Sequence, residues 1–399
     1  MGVLIRKQKG VFIFTGIAKL AITGFILSLA SSYIDTIWSV YVDSFVNSVI
    51  VVSLISSFLT VLSFLSYFLI IPVIERTNKI RIFMFSLIGY AFLYILFALN
   101  KNFYMFLFLA VILTFIVTIR ITSFGIIIKD TSRKNRLARN EGLMYTFSNL
   151  AWLLGPLVAG FLAEIYNINL VFVLSAVFVL IALVFFNFSR MRDGHVKIKT
   201  DDNLLKNFFD FFKDKKRVLA YLLGGGVNFW WILIYLFMPL YMTRSGLDIE
   251  WVGIFLFAIA VPLIIFTYKF ASLAGKVGFR RIFKIGFFIP AVLALVCFFV
   301  SNIFIIMGLL VLASIGLAML ESTTEAYFFD TLNGHQDLRF YGPYNTTIDV
   351  NQFVSKILPA IFLVFLPLKF IFLFFSLFMF VFFFLSFKTK RIVESHRKR

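Results

Sequence analysis

The chain has 399 residues, of which 61% are hydrophobic and 14% charged, and its mean hydropathy is +0.98. That composition excludes a water-soluble globule. A net charge of +19 would suggest nucleic acid in a soluble protein, but in a membrane chain the placement of the charge decides, and here it follows the loops.

The opening, MGVLIRKQKGVFIFTG, lacks a small-residue cleavage site after its first apolar run and reads as a cytoplasmic lead-in, not a signal peptide. Twelve apolar runs follow, each near the ~20 residues that cross a hydrocarbon core as a helix. They cover 19–43, 48–72, 82–99, 103–128, 144–165, 169–189, 218–242, 250–273, 282–300, 303–329, 345–366 and 369–387. The period-two alternation of a closed barrel is absent. Of the 38 Lys and Arg, 31 fall in the two tails, in the 2/3, 4/5, 6/7, 8/9 and 10/11 loops or, for Lys284, at the adjoining end of a span, which places both termini in the cytoplasm. Basic loops of this kind set topology; nucleic acid is not an expected partner.

The stretch 189–217 is the one long polar segment, and it divides six spans from six. Inside it NLLKNFFDFF has an apolar face with basic neighbours, which suits either a helix on the inner membrane surface or a mobile linker. The expected divisions are a six-helix bundle over 1–188, a linker over 189–217, a second bundle over 218–388 and a basic cytoplasmic tail over 389–399.

The halves align at a constant offset of 200. Asp130, Arg139, Gly142 and Thr146 match Asp330, Arg339, Gly342 and Thr346, and Gly24 and Tyr41 match Gly224 and Tyr241. ERTNKIR, from Glu75 to Arg81, lies over GKVGFRR, from Gly275 to Arg281. Matches in register across several span pairs indicate a duplicated six-span unit. Such repeats create a solute cavity near the midplane of carriers.

At these residues the chain resembles the major facilitator superfamily. Its 2/3 loop carries Gly-x-x-x-Asp-Arg-x-Gly-Arg-Arg, where this chain has IPVIERTNKIR, with Glu75 for the acid and Arg76, Lys79 and Arg81 for the bases but neither glycine. The second half keeps Lys276, Gly278, Arg280 and Arg281. AWLLGPLVAG retains Gly155, Pro156 and Gly160 of the antiporters' span 5 motif, and Arg120 matches the span 4 arginine. The resemblance implies a fold of twelve transmembrane helices in two pseudo-symmetric bundles, an all-α polytopic membrane protein, with spans 1, 4, 7 and 10 around the central cavity.

A charge at the centre of a span costs about 2.5–3.5 kcal/mol and so marks function or pairing. Glu321 and Glu325, at i and i+4 in AMLESTTEAYFFD, share a helix face where like charges repel, as in a carboxylate that takes up and releases a proton. Alternatively, Arg120 and Lys356 neutralise the two acids and lock the helices. Asp349 and Lys356 share a face of span 11. Asp35 has two readings, an interfacial acid in an aromatic belt, or, by the resemblance to drug and proton antiporters, a proton site with Trp38 and Tyr41 contacting a flat or cationic solute. Asn228 follows the glycine run Gly224–Gly226 of span 7.

The expected proton-coupling residues are therefore Glu321, Glu325 and Asp35. The expected solute-binding residues are Arg120, Asp349, Lys356, Trp38, Tyr41 and Asn228. Gating falls to Glu75, Arg76, Arg81, Asp130, Arg139, Asp330, Arg339, Gly155 and Pro156, with Asp130 paired to Arg139 and Asp330 to Arg339.

Cys297 is the sole cysteine, and His195, His335 and His396 all lie in cytoplasmic segments, so no metal, cofactor or enzyme activity is expected. The function expected is secondary active transport of a small solute by alternating access, coupled to protons and directed to export of amphipathic or cationic compounds. Proton- or sodium-coupled uptake of a nutrient and a non-transporting sensor or scaffold are the alternatives. The expected setting is the plasma membrane, as a monomer, with the lipid bilayer, a solute and H+ as partners.

Overall fold

The computed structural model describes residues 5–8, 11–132, 137–189, 204–321, 323–332 and 337–389. A short antiparallel ribbon opens the chain, β1 (Ile5–Gln8) against β2 (Val11–Phe14), with Ile5 opposite Phe14 and Gln8 opposite Val11. It departs from a wholly helical chain because Val-Phe-Ile-Phe prefers extended backbone.

The first half is then α1 (Gly16–Val46), α2 (Val49–Arg76), α3 (Lys79–Leu99), α4 (Phe103–Thr131), α5 (Leu137–Ile165) and α6 (Ile168–Phe188). The linker contributes α7 (Leu204–Phe212). The second half is α8 (Lys215–Ile232), a π-helical turn (Leu233–Phe237), α9 (Met238–Arg244), α10 (Ile249–Val277), α11 (Phe279–Phe299), α12 (Ile303–Glu321), α13 (Thr323–Thr331), α14 (Asp337–Leu363) and α15 (Phe370–Ser386).

Ten of these segments are long and apolar enough to cross a membrane, counting α8–α9 and α12–α13 as one each. Of the two remaining expected spans, α14 has 27 residues but carries Asp349, Asn351 and Lys356, which lower its hydropathy. The other, α15, is strongly apolar but only 17 residues long, because the chain turns over 364–369 before it starts.

Helices satisfy their own backbone in lipid, and the starts outside it are capped by side chains. Asn78, Asn102 and Asn167 accept from the backbone N–H groups of Arg81, Met105 and Leu170 at 2.9, 3.1 and 2.8 Å. Each such cap is worth about 1 kcal/mol. Gly278 turns α10 into α11 at φ 89°, a left-handed conformation that suits glycine.

Two compact units result. Unit 1 comprises residues 1–46, 61–199 and 248–257, and unit 2 comprises 47–60, 200–247 and 258–399. In unit 1, α1 packs on α5 and α6, and α3 on α4 and α6; in unit 2, α8 packs on α14 and α15, and α11 on α12 and α15. These are equivalent pairs, and the 200-residue offset extends to the helix bounds, since α3 maps onto α11 residue for residue and α4 onto α12 and α13.

Packing explains the matched residues. A Cβ on Gly24 would meet Met144 Cε at 2.9 Å, and one on Gly224 would meet the Tyr344 hydroxyl at 2.6 Å. Tyr41 stands edge-on to Phe172 at 4.7 Å, and Tyr241 edge-on to Phe372 at 5.0 Å. Lipid is as apolar as Leu, so close approach and ring geometry hold such helices together more than hydrophobic burial does.

The exchange of short segments between the units follows the same symmetry. The start of α2 lies in unit 2, where Ser53 Oγ donates to the Lys356 carbonyl at 2.7 Å. The start of α10 lies in unit 1, where Gly253 abuts the Pro156 carbonyl and a Cβ on Gly160 would come 2.8 Å from Gly253 Cα. Ser53 and Gly253, like Lys356 and Pro156, are 200 residues apart.

Gly225 is buried, and a Cβ there would strike the Asn351 amide. Gly225→Val is expected to cost about 1–3 kcal/mol, the usual range for overpacking, read as a lower Tm in detergent. Gly308→Ala, which meets open space, should leave Tm unchanged or raise it slightly.

Candidate functional site

In unit 1 the polar residues of three helices converge. The hydroxyl of Tyr94 donates to that of Tyr90, one turn earlier on α3, with ring centroids 4.4 Å apart. Ser31 of α1 lies 3.4 Å from the Tyr90 hydroxyl. The Arg120 guanidinium of α4 sits over the Tyr90 ring at 5.0 Å, and its buried Nε has no hydrogen-bond partner among the described residues. Asp35, exposed on α1, and Arg120 both act electrostatically on the buried Tyr94. Asp35 and Arg120, expected for different reasons, are thus brought together through a tyrosine pair that hydropathy and motifs do not single out.

Of the two aromatics expected to contact a solute, Tyr41 lies in the aromatic core of unit 1 and Trp38, half-buried, packs at its edge. Tyr41 is 4% exposed and donates to the Phe97 carbonyl at 2.9 Å, and Trp38 packs 5.6 Å from Phe97 and 5.8 Å from Phe106. The rings bury Tyr41 and leave Trp38 half-buried, which a linear aromatic pattern does not reveal. Gly155 packs against Ser32, so this part of the span 5 motif serves close helix approach.

In unit 2, Lys356 donates to Thr60 Oγ1 at 2.7 Å and acts electrostatically on Asp349, which in turn acts on Tyr221. Glu321 and Glu325 stand on either side of the junction between α12 and α13 and take different partners. Glu321 lies beside the Trp231 indole, and the Tyr341 hydroxyl donates to Glu325 at 3.0 Å. Asn228 donates to the Gly224 carbonyl at 3.3 Å.

The expected gating residues take the following partners among the described residues. Asp130 pairs with Lys79 at 3.2 Å, and both side chains are about one-tenth exposed. The side chains of Glu75 and Arg139 lie outside the described residues, as does the tail over 390–399, while Arg76 and Arg81 are exposed. Asp330 is half-buried at the end of α13. Arg339 donates to Asp210 and, at 2.7 Å, to Asn207, both on α7.

The linker helix is therefore docked on unit 2. Phe211 is fully buried 6.0 Å from Tyr221 and 6.1 Å from Phe340, and Arg217 caps the end of α7 by donating to the Phe211 carbonyl at 3.1 Å. Lys213, foremost, and Arg339 hold the Asp210 carboxyl below its ordinary range. A carboxylate with a depressed folded pKa stabilises docking in full above its ordinary value near pH 4, and loses that contribution as pH falls through the depressed value. Arg339→Gln is accordingly expected to expose α7 to limited proteolysis at pH 7, with wild-type α7 staying protected down to about pH 4.

Comparison with known proteins agrees with this architecture. A sequence profile of the Major Facilitator Superfamily matches residues 20–286. An MFS-type transporter of Methanocaldococcus jannaschii is 20% identical over 238 residues, 58% of this chain and 61% of that relative, so the match spans under two thirds of its length. Among solved structures, the nucleoside transporter NupG superposes with a TM-score of 0.76 at 12% identity over 94% of this chain and 100% of that one. A POT family transporter in complex with 5-aminolevulinic acid gives 0.75 at 12% identity over 93% and 95%. With two thirds of its length matched by the profile, the chain belongs to the Major Facilitator Superfamily.

Proposed function

We propose that the protein is a secondary active transporter that moves a small solute by alternating access, coupled to protons, and that it exports amphipathic or cationic compounds across the plasma membrane with both termini in the cytoplasm. The observation that carries this reading is the grouping of Asp35, Tyr94, Tyr90 and Arg120 in unit 1. A carboxylate and a guanidinium acting on one hydrogen-bonded tyrosine pair form a balance of charge that a single proton upsets. Protonation of Asp35 removes the negative member and leaves the Arg120 charge uncompensated, so the two protonation states favour different arrangements of α1 and α4. Glu321 and Glu325 are further candidate proton carriers, and Asp349 and Lys356 candidate solute contacts.

Two intra-unit links are proposed as gates, the buried Lys79 and Asp130 pair and the Arg339 contact with α7. Each can shift a conformational equilibrium by being made in one state and broken in the other. A second reading, uptake of a nutrient with an anionic group, is favoured by the unpartnered Nε of Arg120. The relatives leave room for both, since the solved neighbours include a nucleoside transporter and POT family proteins with 5-aminolevulinic acid or sulfate.

The test is proton movement in sodium-free proteoliposomes holding a pH-sensitive dye, with cationic drugs, nucleosides and organic anions added singly. Solute-dependent proton flux supports the reading, with a cation response favouring export and an anion response favouring uptake. Solute movement that requires sodium and carries no proton contradicts it.

A further inference from the structure

From Leu223 to Leu240 every residue is buried except Asn228, Trp231 and Tyr235. Spacings of three and four put these side chains on one face. The π-helical turn Leu233–Phe237 lies at Tyr235 and sets its ring beside that of Trp231, with centroids 5.5 Å apart. Turns of this kind inside α-helices occur often at functional sites.

Glu321 of α12 stands at this face beside the Trp231 indole and is exposed. An exposed carboxylate within a span is costly against acyl chains, so the face it shares must meet water. Asn228 donates its amide N–H to Gly224, which leaves the amide oxygen as an acceptor. Two electron-rich ring faces, an amide oxygen and a carboxylate share one electrostatic preference. All attract positive charge, and the rings add area that a small hydrated ion cannot use.

The geometry points to a binding site for an organic cation on unit 2, formed by Trp231, Tyr235, Glu321 and Asn228. It rests on the carrier reading for the purpose of such binding, but not on proton coupling. Glu321 supplies the countercharge, Trp231 offers a ring face beside it, and Tyr235 completes the aromatic corner.

The experiment compares binding of tetraphenylphosphonium and tetraphenylborate, ions of the same shape and opposite charge, to the purified full chain in nanodiscs, with empty nanodiscs subtracted and no proton gradient. Wild type is expected to bind the cation and not the anion. Glu321→Gln and Tyr235→Leu should each weaken cation binding about tenfold, the scale of a desolvated cation–π contact or a countercharge, and Glu321→Asp should keep the preference for the cation. Glu321→Asp also shows that loss in Glu321→Gln is not loss of fold. Equal binding of both ions by wild type, no cation binding, or unchanged affinity in Glu321→Gln overturns the site. A chain that binds the cation here but moves no protons would contradict proton coupling alone.

Discussion

Replacing Arg120 by glutamine is expected to lower solute transport about tenfold without unfolding the protein. A partly desolvated cation–π contact is worth about 1–2 kcal/mol, which corresponds to about one decade in an equilibrium that transport must cross. Arg120 lies over the Tyr90 ring and shares influence on Tyr94 with Asp35, so its loss removes the positive charge that acts on the tyrosine pair. Arg120→Lys is expected to recover only part of the rate, because an ammonium keeps the charge but lacks the planar face that lies on the tyrosine. Initial rates of solute movement in proteoliposomes, with equal reconstitution verified, provide the check.

Lys79→Met is expected to be the most destabilising single change in unit 1. The Lys79 and Asp130 side chains are 9% and 10% exposed and 3.2 Å apart, so removing the lysine strands a buried carboxylate. The expected cost is about 3–5 kcal/mol, seen as a lower Tm in detergent. The double change Lys79→Met with Asp130→Leu should regain most of that loss, because a buried ion pair exchanged for apolar groups is often neutral. If the double change is no more stable than Lys79→Met alone, the pair is not the source of the effect.

Much of this architecture was legible in the chain. Bilayer thickness fixes the length of an apolar run, and a duplicated unit leaves its offset in residues that cannot vary freely, such as Gly24 and Gly224, which face Met144 and Tyr344. Intramembrane charges were legible for a similar reason, since each is costly and therefore rare.

Their partners were not. Tyr90 and Tyr94 are two of 15 tyrosines among 56 phenylalanines, and nothing local marks them until α4 brings Arg120 over the ring. Tyr41 looked available beside Asp35, yet it is buried in a core with Phe97 and Phe106 while Asp35 stays exposed. Arg339 also meets Asp210, supplied by a helix of the linker that the first half lacks and that the 200-residue offset gives no sign of. A repeat can indicate equivalent positions; it cannot indicate an insertion that changes what one of them meets.

The central claim is that Asp35 carries the coupling proton against Arg120. It is tested most directly by solute-driven proton movement in dye-loaded proteoliposomes for wild type and Asp35→Asn, with solute binding measured on the same preparations. Coupling through Asp35 predicts that the variant still binds solute but no longer moves protons with it. Proton movement by Asp35→Asn at the wild-type rate would contradict the account and transfer the role to Glu321 or Glu325.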